Sequence, residues 1–249
     1  MYRIAIFLLF LLPLAACTTQ RETRTLETML PASGVGTLMT HANIGSVTVK
    51  ASTDAKVHAS VKLLPSNNFF WNLFTHSKAP EAIRGATLGY SLDKSTLDFN
   101  VQYPADTDSE RVNEEWAIAI PASVHIEDHI NIGRLEVSGI AGGVEAQMNI
   151  GKVTLDVPGG PLDIVINVGK INAQTRTLDY GDIVLAANVG NTRLSVDGLS
   201  VGGLQNEGAG SQMRYKGKGS NTIRLKVNTG KVTLALTDAA KVQPATIKK

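Results

Sequence analysis

Seven times along this chain an Asn is followed two residues later by Gly. The Asn residues are Asn43, Asn131, Asn149, Asn167, Asn188, Asn206 and Asn228; from Asn131 onward the spacings are 18, 18, 21, 18 and 22 residues. A short run of apolar alternation precedes most of these triplets and another follows, as in "HINIGRLEV" and "QMNIGKVTL". Two short strands per period of about 20 residues define a solenoid, in which no unit buries its apolar side alone and each stacks on the next. Asn and Gly both tolerate the left-handed backbone that a sharp turn between strands requires. The candidate turns are therefore Asn131 and Gly133, Asn149 and Gly151, Asn167 and Gly169, Asn188 and Gly190, and Asn228 and Gly230. Replacing Gly151 with Val is expected to cost about 1–3 kcal/mol on backbone grounds alone.

Stacking brings equivalent residues about 4.8 Å apart, so six coils predict a body roughly 29 Å long. Asn side chains would hydrogen-bond along the axis, and Ile132, Ile150, Val168 and Val189 would form an apolar ladder. The position after each Gly gives a third ladder, with Arg134, Lys152 and Lys170 in a row. Like charges that close repel, so these three are candidate anion-binding residues, with Glu136 and Asp156 as candidate compensating charges. Near Asn206 the pattern slips, and a bulge is expected there.

The rest of the chain divides around this repeat. Residues 1–16 carry Arg3, an apolar run and small residues ahead of Cys17, the organisation of a secretory signal and too short to span a bilayer. "LAAC" resembles the bacterial lipobox, which implies that Cys17 is lipidated and becomes the mature N-terminus. Thr18 after it, instead of Asp, implies the outer membrane by the same resemblance. Cys17 is the only cysteine, so the mature protein would hold no disulfide and no cysteine metal site. Residues 17–33 read as a polar tether, 34–125 as a β-rich N-terminal part, 126–237 as the repeat and 238–249 as a polar tail. Within the second part, "SNNFFWNLF" concentrates Phe69, Phe70, Trp71 and Phe74. It reads as a plug over one end of the β core, or as a docking patch for a protein or membrane.

The fold class is thus all-β, a β-solenoid-like stack of Asn-x-Gly-turned repeats behind a β-rich N-terminal region. The run "AIAIPASVHIEDHINIGRLEVSGIAGGVEAQMNIGKVTL" resembles the bacterial β-strand-repeat family of unknown function called toastrack, or putative adhesin. The resemblance covers roughly Gly34 to Leu236. It implies an envelope protein without catalytic residues; the aromatic insertion and the strict use of Asn depart from the family pattern.

Motif chemistry points the same way. The chain has no phosphate loop of Walker type and no His-Glu-x-x-His. "HIEDHI" places His125, Glu127 and His129 on one strand face, but the two His lie about 13 Å apart, too far to share a metal ion. No metal and no cofactor are expected. A net charge of +2 argues against nucleic acid as the main partner, although residues 205–249 carry nine Lys or Arg against two acids. Arg214, Lys216, Arg224 and Lys226 in that region form a second basic cluster. A polysaccharide-acting enzyme would need two carboxylates converging in a groove, and Glu136, Glu145, Asp156, Asp163, Asp182 and Asp197 are spread among different coils and turn positions. The expected role is non-catalytic: a membrane-anchored surface for an envelope protein or an anionic glycan, with a sensor or assembly subunit as the alternative.

Overall fold

A computed structural model of the chain describes residues 22–66, 78–201 and 210–238. Cys17, Asn206 and the aromatic residues Phe69, Phe70, Trp71 and Phe74 lie outside the described residues. The elements in chain order are β1 (Arg24–Pro31), β2 (Thr37–Ser52), β3 (Lys56–Pro65), a short helix α1 (Ala79–Gly85), β4 (Thr87–Asp93), β5 (Thr96–Gln102) and β6 (Val112–Pro121). The repeat follows as β7 (His125–Ser138), β8 (Val144–Val157), β9 (Leu162–Thr175), β10 (Tyr180–Val196), β11 (Leu199–Ser200), β12 (Ser211–Lys216) and β13 (Asn221–Leu236).

β7, β8 and β9 pair in parallel and in register, yet only residues 139–143 connect β7 to β8. Parallel neighbours ordinarily need a crossover of a dozen residues or more. A straight 14-residue strand would be about 43 Å long, and the link reaches about 21 Å at most. Each strand must therefore be bent double, and the burial pattern locates the bend. Ile126, Asp128 and Ile130 point inward on even numbers; Leu135 and Val137 point inward on odd ones. The phase changes across Asn131-Ile132-Gly133. Each repeat is thus one continuous strand with two arms, where the sequence pattern suggests two strands and a turn. The arms stack into two facing layers with one core between them.

At β2 the layers part. Its first arm pairs with β5, which pairs with β4; its second arm pairs with β6, followed by β3 and β1. Phe99 of β5 meets Trp116 of β6 at 6.3 Å between ring centroids, which shows the two layers closing on each other. Ala82 and Ile83 of α1 are fully buried in the same core. Residues 24–31, expected to be tether, form the outermost strand of this end: in "RTLETMLP" Leu26 and Leu30 alternate inward and pack on the core. The N-terminal part and the repeat share one sheet and one core.

The coils do not stack in sequence order. The last strand, β13, inserts between β9 and β10 and is parallel to both, while β12 caps the first arm of β10 as an antiparallel edge strand. The stack therefore runs β2-β7-β8-β9-β13-β10, and each of these six strands carries an Asn-x-Gly triplet. The irregular spacing of 21 between Asn167 and Asn188 has its explanation here. Seven residues separate Thr175 from Ile183, where four separate Val157 from Leu162, and the extra three let β10 step over a vacant strand position. Leu225 of β13 is fully buried and aligned between Ile164 and Leu185. Leu225→Ala is expected to cost about 2–5 kcal/mol in urea unfolding, the penalty of a core site. A loss below about 1 kcal/mol would mean that the C-terminal strand is a dispensable edge.

Candidate functional site

The bends of the six strands line up into one long edge, and three rows of side chains run along it. The first is the Asn row. Asn131 Nδ2 donates to Asn43 Oδ1 at 3.0 Å, Asn149 to Asn131 at 3.1 Å, Asn167 to Asn149 at 2.6 Å and Asn188 to Asn228 at 2.7 Å. These side chains are exposed, so the ladder trades water for a neighbouring amide and fixes alignment more than it adds energy.

The next row is apolar and exposed. Register places Ile44, Ile132, Ile150, Val168, Thr229 and Val189 side by side. Ile132 is 41% exposed, Ile150 48%, Val168 48% and Val189 50%. Single exposed apolar residues need no explanation, but an aligned row on adjacent strands is a contiguous patch. These residues point outward because the phase change at the bend leaves them outside both arms.

Between the apolar row and the cations runs the Gly row, with φ of 157° at Gly133, 154° at Gly151, 157° at Gly169, 133° at Gly190 and 145° at Gly230. This is extended backbone of the sign that only Gly adopts readily, distinct from the left-handed helical turn expected from sequence. The cation row comes next. The insertion of β13 gives it a fourth member: Arg134, Lys152, Lys170 and Lys231 are consecutive in register, with Ser46 at one end and Asn191 at the other. Arg134 reaches Glu136 at 3.9 Å. Lys152, Lys170 and Lys231 have no ion pair among the described residues. Asp156, expected as a compensating charge, instead binds Arg176 at 2.8 and 3.0 Å. Cations about 4.8 Å apart repel by roughly 1 kcal/mol per neighbouring pair even in water. Each added cation in the row therefore raises the positive potential along this edge.

Other sequence candidates are placed elsewhere. His125 contacts the Gly142 carbonyl at 3.2 Å, and His129 lies 3.5 Å from Glu127 and stacks on His41 at 5.3 Å. Register aligns Glu127, Glu145 and Asp163 on the outer side of the first arms, an alignment that the linear sequence hides. Asp163 and Asp182 line a groove with Arg214, Lys216 and Arg224, and Arg224 binds Asp163 at 3.3 Å. That groove is of mixed sign, and its carboxylates are two strands apart.

Two buried acids were not singled out from sequence. Glu114 accepts hydrogen bonds from Tyr103 and Trp116, both at 2.8 Å; burial still pushes its carboxyl above the usual range, and burial with the nearby carboxylate pushes the Tyr103 phenol up. Asp128 is fully buried; its Oδ1 accepts from Thr40 Oγ1 at 2.7 Å and its Oδ2 has no hydrogen-bond partner among the described residues. Desolvation raises its carboxyl to about 7, against the smaller opposing pull of the Thr40 hydroxyl and the His129 amide. The signal was present: in "IEDHI" the alternation that buries Ile126 and Ile130 also buries Asp128.

No family model and no curated protein matches the chain. Among solved structures, it is similar to a "putative cell adhesion protein" from Clostridium sporogenes, with 14% identity, a TM-score of 0.51, and coverage of 87% of this chain and 99% of that one. A "putative adhesin" from Bacteroides fragilis overlaps less well, with 13% identity, a TM-score of 0.31, and coverage of 86% and 97%. The first of these shares the fold, so the all-β architecture implied by the toastrack resemblance is the architecture found.

Proposed function

We propose that this chain is a non-catalytic lipoprotein of the bacterial envelope, held to the membrane through Cys17 and presenting a rigid β-repeat surface for binding. The observation that carries this reading is the edge itself: an in-register stack displaying aligned cations and apolar side chains. The adhesive role for which its fold neighbour is named fits such a surface. Among the described residues no helix is long and apolar enough to cross a membrane. The leader ending in "LAAC" supports lipid as the anchor, and Thr18 supports an outer-membrane destination. Several acyl chains at about 0.8 kcal/mol per buried methylene hold a protein stably. In cell fractionation, Cys17→Ser is expected to release the protein from the lipid-anchored fraction. Full retention of the variant on membranes after a salt wash would overturn the anchor.

A further inference from the structure

We propose that the bent edge of the stack lies against an anionic bilayer surface, with its apolar row in the headgroup region and its cation row against lipid phosphates. The inference rests on the reading of a membrane-anchored protein and specifies how that protein sits on its membrane.

Three observations converge on this edge. The row that holds the apolar side chains runs along it over six strands, about 24 Å, broken at Thr229, and the cation row runs parallel to it, two residues away, over the central four strands, about 14 Å. A soluble polyanion would satisfy Arg134, Lys152, Lys170 and Lys231 but offers nothing to Ile132, Ile150, Val168 and Val189. Apolar side chains flanked by cations are the composition of a surface that rests in an anionic interface. The third observation is where the chain enters the fold. Arg24 pairs with Leu63, Leu63 with Glu114, Glu114 with Gly45, and Gly45 with Gly133, so the start of β1 lies on the same transverse row as the Gly bends. Thr23 and Ile44 line one small pocket there. Cys17 precedes Arg24 by seven residues, which reach about 24 Å at most. A lipid at Cys17 therefore keeps the start of β1, and the edge on its row, within about 24 Å of the bilayer. The links at the far ends of the arms, such as Gly159 and Pro161, lie one arm further away, about 17 Å.

The same side chains explain why the edge would face an anionic surface in particular. Ser46 and Asn191 end the cation row, and Glu115, next beyond Ser46, is flanked in register by Lys62. Among the described residues the central four cations have one partner, Glu136, so a negative surface meets little competition from the described acids.

The test is a pair of single-label variants of the full chain, reconstituted in vesicles of phosphatidylcholine with or without phosphatidylglycerol. Ile150→Cys places an environment-sensitive fluorophore on the edge, and Pro158→Cys places it at the far end of an arm. The expected result is that the label at position 150 becomes shielded from an aqueous quencher on anionic vesicles, that high salt reverses this, and that the label at 158 stays in water. Adding Lys152→Gln and Lys170→Gln should lower the ratio of docked to undocked protein at least tenfold, since each cation near such a surface contributes roughly a fivefold factor. Equal solvation of both labels on anionic vesicles overturns the inference, as does equal shielding of position 150 on neutral ones. So does capture of a soluble anionic glycan that is lost in the Lys variants while position 150 stays in water. Labelling stoichiometry separates the two readings: a reactive Cys17 thiol means that the anchor fails, and because it adds the same background to both variants, their difference still reports the edge.

Discussion

Gly151→Ala is expected to destabilise the protein by about 3–5 kcal/mol, a large share of the 5–15 kcal/mol that holds a typical domain together. Two costs add. The backbone at Gly151 has φ of 154°, where a side chain strains the chain by about 1–3 kcal/mol. A Cβ there would also overlap the carbonyl oxygen of Gly133 on the neighbouring strand and press on Met148 Sδ at 2.8 Å. The obstacle is backbone in the middle of a parallel ladder, so relief requires prising β7 from β8, and overpacking of this kind adds about 1–3 kcal/mol or more. The penalty propagates as a rule of the stack: a Cβ at Gly133 would strike Gly45, one at Gly169 would strike Gly151, one at Gly230 would strike Gly169, and one at Gly190 would strike Gly230. Gly34→Ala is the control. Its φ is 83° but a Cβ there meets nothing within 4 Å, so only the backbone cost applies. Denaturant unfolding that gives both variants the same loss would mean that close approach along the Gly row does not hold the coils together.

That larger figure, against the 1–3 kcal/mol expected from the triplets alone, marks the limit of what the sequence discloses. The period, the Asn ladder and the alternation on either side of each triplet were legible because they are properties of one chain segment repeated. The contact that makes Gly obligatory lies between segments, and only stacking reveals it. The same holds for the strand order. The spacing of 21 after Asn167 was visible, but its meaning depends on β13 returning from 40 residues beyond Asn188 to fill the gap. With β13 in place, Lys231 joins Arg134, Lys152 and Lys170, so the cation row could be read from sequence only in part. Its neutralisation by Asp156 was the wrong inference, because Arg176 from the next link takes that carboxylate. The apolar row was foreseen as a ladder. Its exposure follows from the bend, which turns one residue per coil out of both layers.

Asp128→Asn is expected to raise stability at pH 8 by as much as about 4 kcal/mol while leaving it little changed near pH 4. The sign follows from linkage. The folded protein holds the Asp128 proton up to about pH 7, whereas an unfolded Asp releases it near pH 4. Stability from this group is complete below about pH 4, declines as the pH rises, and is lost once the pH passes about 7. Above that, the fold carries a carboxylate in a row whose other members on the first arms are Thr40, Ala146, Ile164, Leu225 and Leu185. The Asn amide oxygen can accept from Thr40 as Oδ1 does now, and the substitution removes the charge that desolvation opposes. Unfolding free energies measured across pH 4–8 should therefore converge at the acid end and separate toward the alkaline end. Parallel curves would mean that water reaches the carboxylate. The position of this acid suggests why the fold tolerates it. Thr40 and Asp128 join β2 to β7, the seam where the repeat meets the two N-terminal layers, and strand slip by one residue would turn Asp128 to the outside and break the pair. Ala, Ile and Leu at the equivalent positions of later coils leave the Asn ladder and the Gly row as the devices that keep those strands in step. At the first seam a polar pair adds to them, at a cost in stability that pH controls.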